Sequence, residues 1–140
     1  MIFKRKSWKN KYEYNDRLFN SDFLRSFYHL SRYKCCNKFL KKNSYSSVIE
    51  LGCFDAKLAI LSKKYISSYT GIDANWEGGL NYARKNSYEF PVNFIEANNV
   101  NDIKNIKSHD LSICMETLEH VGKENLNPYL DFFSKKTLKG

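Results

Sequence analysis

The chain has 140 residues, 42% hydrophobic and 27% charged, which is enough for one folded domain and too apolar for a disordered one. Its net charge of +8 is lopsided: residues 1–44 carry twelve Lys/Arg against three Asp/Glu, a net +9, and residues 45–140 sum to −1. No apolar run reaches the roughly 18 residues of a membrane span, and none follows the basic start as it would in a signal peptide.

Cys35, Cys36, Cys53 and Cys114 show no paired CxxC spacing and no His at a ligand offset, so no metal site is expected. A reducing, cytoplasmic setting is the expectation. In chain order, residues 1–44 form a basic, aromatic leader. Within it Phe19, Phe23 and Phe27 recur at i, i+4, i+8, which with Leu24 and Leu30 predicts an amphipathic helix from about Ser21 to Leu40. From residue 45 the pattern alternates. Ser47–Leu51 reads as a strand stopped by Gly52, residues 55–64 as a helix, Tyr69–Asp73 as a second strand and Trp76–Asn86 as a helix. Pro91–Ile95 reads as a third strand, Val100–Ile106 as a short helix, Leu111–Met115 as a fourth strand and Lys123–Lys136 as a last helix, apolar at Leu126, Tyr129, Leu130 and Phe133. Such alternation predicts an α/β fold with a parallel sheet and right-handed crossovers.

Three stretches carry chemistry. Glu50-Leu51-Gly52-Cys53-Phe54-Asp55-Ala56 ends a strand on an acid and opens a helix through a glycine turn. An ordinary strand-to-helix turn needs only Gly52 and Asp55. A dinucleotide site needs a second glycine where Phe54 stands, and Asp55 would repel a pyrophosphate at the helix start. A ligand with no phosphate and a positive charge meets no such objection. Asp73 ends the second strand twenty-one residues after Gly52, where an acid can accept from both ribose hydroxyls; a helix-capping Asp is the plainer reading. Polar residues then cluster after the fourth strand, in Met115-Glu116-Thr117-Leu118-Glu119-His120, at the strand end where open α/β sheets bind ligands.

Taken in order, E-L-G-C-F-D-A, G-I-D-A, F-I-E-A-N-N and D-L-S-I-C-M-E-T-L-E-H-V resemble the class I, Rossmann-like S-adenosylmethionine-dependent methyltransferases over residues 46–140. The resemblance implies a sheet ordered 3-2-1-4 and S-adenosylmethionine as cofactor. It implies that Glu50 holds the methionine ammonium, that Gly52 and Cys53 line the methionine part, and that Asp73 binds the ribose with Ala74 and Asn75 beside the adenosine. Asn98 would face the adenine amine, and Met115 and Glu116 would lie near the methyl group. Glu119 and His120 would sit toward the acceptor, a small molecule or sugar, as candidate general bases. Family sheets have seven strands, of which four are read here. The fourth is therefore expected at an open edge, inviting self-association or a complementary chain.

A second reading comes from the leader, whose cations and aromatics suit RNA, with phosphates on Lys/Arg and bases on Tyr/Phe. Against it stands the expectation that those aromatics are the underside of a helix packed on the sheet. A third reading is a cofactor-binding fragment without catalysis.

Overall fold

The computed structural model describes residues 23–138. The elements in chain order are α1 (Phe23–Asn43), β1 (Ser47–Leu51), α2 (Lys57–Leu61), β2 (Ser68–Asp73), α3 (Gly79–Ala83) and β3 (Val92–Glu96). A 3-10 turn (Val100–Ile103), β4 (Leu111–Cys114), a second 3-10 turn (Leu118–His120) and α4 (Lys123–Lys136) follow. The four strands form one parallel sheet in the order β3-β2-β1-β4, as expected. The central strand is the most apolar: Val48 and Ile49 are fully buried, one on each face. Glu50 lies opposite Gly71 on β2 and Ile113 on β4, so the carboxyl ends of all three strands finish level.

Both faces are covered, as parallel sheets require. One packs Val48, Tyr69, Leu58, Ala59 and Leu80 beneath Tyr33 and Leu40 of α1. The other packs Ile49, Leu51 and Ile72 against Ile103 and, from α4, Tyr129 and Phe132. Full burial of an aliphatic side chain such as Leu40 is worth roughly 1.5–3 kcal/mol, so α1 is held to the sheet by a few such contacts.

The helices depart from expectation in instructive ways. In α1 the buried stripe is Tyr33 and Leu40 with Cys36, not the phenylalanine stripe; Phe23 and Phe27 face solvent, and Phe19 lies outside the described residues. The i, i+4 spacing is real, but at 3.6 residues per turn it lies roughly 100° round the helix from the side that meets the sheet. The second helix starts late because Ala56 takes a left-handed φ of 57°, and the third because Gly78 does at 77°. The expected 100–106 helix is one 3-10 turn, closed by a capping box between Asn99 and Asp102. In α4, Phe132 is buried and Leu130 is half exposed, the reverse of the assignment by periodicity.

β4 has β1 on one side. On the other, among the described residues, the chain makes one parallel bridge, in which His109 N donates to Lys136 O and Leu138 N to His109 O, both at 2.8 Å.

Candidate functional site

β1 delivers Glu50 and Leu51 to a turn that winds through three left-handed residues: Gly52 (φ 74°), Phe54 (47°) and Ala56 (57°). Only glycine takes this conformation freely, and each of the other two costs on the order of 1–3 kcal/mol. The turn is held by β2. Gly52 N and Cys53 N donate to Ile72 O at 2.8 and 3.2 Å, and Phe54 N donates to Asp73 Oδ2 at 2.9 Å. Asp73 Oδ1 accepts from Asn75 N at 2.7 Å, so one carboxylate clasps the glycine turn and the exit of β2 together. From β4, Thr117 closes over the turn, and a Cβ on Gly52 would come within 2.0 Å of its Oγ1.

Phe54 stands where a dinucleotide loop has a glycine. Its ring lies against Gly79 at the start of α3, where an added Cβ would meet it at 2.4 Å. The bulk gained at 54 is thus matched by bulk absent at 79.

Around this turn lies a cleft of about 800 Å³ at the carboxyl ends of β1, β2 and β4. Ten of the residues singled out in the sequence line it: Glu50, Gly52, Cys53, Asp73, Ala74, Asn98, Met115, Glu116, Glu119 and His120. Asn75 does not; its side-chain amide turns away, donating to Asn81 Oδ1 and Glu96 Oε2. Thr117, from the polar stretch after β4, lines it too, and three further residues, Arg32, Tyr33 and Trp76, carry no mark in the sequence as site residues. Arg32 and Tyr33 come from α1, whose closeness to β4 is a long-range fact, and Trp76 follows β2 in a loop. The helical offset of Tyr33 from Leu40 was the one available signal for the buried side of α1.

The lining is acidic. Glu50, Asp73, Glu77, Glu116, Glu119 and Glu124 face a single guanidinium, that of Arg32. Arg32 pairs with Glu116, which sits in a left-handed conformation (φ 51°) just beyond β4, while the buried Arg32 Nε has no hydrogen-bond partner. Glu50 is 4% exposed and accepts a hydrogen bond from the Tyr69 hydroxyl. Burial pushes its carboxyl up to about 8, with Asp55 and Asp73 adding to the rise and the Tyr69 hydroxyl and Arg32 opposing it. Burial likewise raises the Cys53 thiol far above its ordinary value and Cys36 to about 11, which keeps both protonated and poor nucleophiles. At the rim, Trp76 Nε1 donates to Asn98 Oδ1 at 3.0 Å, leaving that oxygen a second lone pair. Glu119 and His120 stand exposed on the 3-10 turn. Among the described residues no three His, Cys, Asp or Glu side chains gather as a metal would require.

A smaller cavity of about 500 Å³ lies at the amino ends of the strands, among Thr70, Asn93 and His109. Both ring nitrogens of His109 are engaged there, with Thr70 Oγ1 and Lys107 O, and open α/β sheets bind ligands at the other end.

Comparison of the structure with solved proteins returns methyltransferases. The methyltransferase domain of bacterial CtHen1 superposes with a TM-score of 0.66 at 21% identity, over 77% of this chain and 61% of that one. CalS10 from Micromonospora echinaspora, an amino pentose methyltransferase solved with SAM bound, gives 0.68 at 11% identity, over 98% and 56%. The magnesium protoporphyrin IX methyltransferase of Synechocystis PCC 6803, also with SAM bound, gives 0.65 at 16%, over 89% and 65%. The fold is that of the class I methyltransferases. Within the methyltransferase fold, this chain spans about three-fifths of the length of the structures it matches. No protein-family model and no curated protein sequence matches it.

Proposed function

We propose that the chain binds S-adenosylmethionine in this cleft and directs its methyl group to an acceptor, a small molecule or a sugar, at the rim formed by Glu119 and His120. The observation that carries this reading is the buried Glu50 at the head of a left-handed glycine turn, in a cleft with six carboxyl side chains and one guanidinium. Such a lining disfavours phosphates and suits a ligand with an ammonium and a sulfonium. Glu50 takes the ammonium, directly or through water. Arg32, the one guanidinium lining the cleft among the described residues, is the counter-charge for the methionine carboxylate. Asp73 keeps lone pairs for the ribose hydroxyls beyond those given to Phe54 N and Asn75 N. Ala74 and Asn98 flank the adenosine, with Trp76 holding the Asn98 oxygen in place.

The cofactor supplies an activated methyl: the acceptor's lone pair bonds to the methyl carbon while the sulfur keeps the electrons of the broken bond. The protein's part is to position the acceptor in line, at the side where Met115 and Glu116 lie. Any proton the acceptor sheds passes to Glu119, His120 or solvent.

Calorimetric titration with S-adenosylmethionine, S-adenosylhomocysteine and NAD tests this. Binding of the first two with no response to NAD is expected. Tight NAD binding and silence toward the other two would overturn the reading.

A further inference from the structure

The solvent face of α1 is unlike the rest of the surface. The 21-residue helix contains six Lys/Arg and no Asp or Glu. Its first two turns expose Phe23 (81%), Leu24 (76%), Phe27 (58%) and Tyr28 (64%), with the Phe23 and Phe27 rings stacked at 6.3 Å between centroids. Its last turns expose Lys34, Lys38, Lys41 and Lys42. A run of cations alone is a solvated face, and aromatics alone suggest a face awaiting a core. Here both lie on one stripe: positions 23, 27, 34, 38 and 41 fall within roughly 60° of each other at 3.6 residues per turn. An apolar protein partner laid along that stripe would have to bury the lysines in line with the phenylalanines. A flexible polyanion that offers both charged groups and flat apolar faces satisfies the two halves at once.

We propose that the outer face of α1 binds single-stranded RNA, with bases stacking on Phe23 and Phe27 and the backbone running along Lys34, Lys38 and Lys41. Arg32 and Tyr33, on the other sides of the same helix, line the cleft, and none of the stripe residues does. The proposal concerns binding and goes beyond methyl transfer; it stands or falls whatever the cleft holds.

The test is fluorescence anisotropy of a labelled oligouridylate of about 20 nucleotides against the whole chain, across a range of salt, with vesicles of phosphatidylserine and phosphatidylcholine as a separate arm. The expected result is RNA binding that weakens steeply with salt. Replacing Phe23 and Phe27 together by Ala should weaken it at least about tenfold with the salt slope kept. Replacing Lys34, Lys38 and Lys41 together by Ala should flatten the log–log slope by about two. These side chains are exposed, so unchanged thermal melting of both variants is expected, and S-adenosylmethionine titration of the same samples reads the cleft separately. Absence of RNA binding, binding to vesicles alone, duplex RNA bound as tightly as the single strand, or variants that bind like the wild type would each overturn the proposal.

Discussion

Glu50 concentrates the cleft's chemistry in one side chain. An acid whose pKa in the folded protein rises from 4.5 to about 8 adds most to stability when protonated. That contribution is full below about pH 4.5 and is lost as pH rises through about 8. A bound ammonium reverses the preference by favouring the carboxylate. Donor binding near pH 7 should therefore release close to one proton, and affinity should rise from about pH 6 to 8. Calorimetry in buffers of different ionisation enthalpy reads this, and a heat independent of buffer would contradict the pairing. Glu50→Gln should weaken binding about tenfold and abolish the pH dependence. Gly79 poses a steric question at the same scale. Gly79→Ala should destabilise the fold by about 1–3 kcal/mol, because the Phe54 ring must move. In a double-mutant cycle with Phe54→Ala, measured by denaturant unfolding, part of that loss should be recovered. Strict additivity would show that the ring is not what requires glycine there.

At the scale of elements, strands were more legible than helices. Each strand is a short β-branched or aromatic run ended by Gly, Asp or a polar cluster, and all four lie within a residue or so of their expected bounds. Helix propensity, by contrast, says nothing about where the chain must first turn through left-handed residues, so α2 and α3 were drawn too long. Periodicity placed Tyr129 and Phe133 of α4 on the packed side and missed Phe132, whereas in α1 it found a face without showing which side meets the sheet, because that depends on contacts distant in sequence. For the same reason Glu50, Gly52 and Asp73 could be marked from spacing along the chain, whereas Arg32 and Trp76 could not. β4 raises a question of partnership. Asp110 ties its start to β1, accepting from Ser46 N and Ser47 N, and those bonds hold its carboxyl well below the usual range. Its other edge carries only the bridge between His109 and Thr137 among the described residues, and Leu111–Cys114 contains no Lys or Pro to guard it. Sedimentation of the 140-residue chain should therefore show concentration-dependent association. A strictly monomeric chain at high concentration would show that this edge is protected.

For the molecule as a whole, the level carboxyl ends of β1, β2 and β4 create the cleft, and α1 closes it with Arg32 and Tyr33 while turning cations and aromatics outward. The same helix thus joins a basic outer face to an acid-lined cleft. A cationic nucleoside donor bound in that cleft would rest its ribose on Asp73. The most direct test compares S-adenosylmethionine affinity in wild type and Asp73→Ala, with Asp73→Asn as the milder variant because it keeps one oxygen for the turn. Asp73→Ala should still fold, by circular dichroism and a cooperative melt, yet bind the donor about tenfold or more weakly, since hydrogen bonds to a charged acceptor are worth roughly 1.5–3 kcal/mol each. Wild-type affinity in a folded Asp73→Ala protein would contradict it.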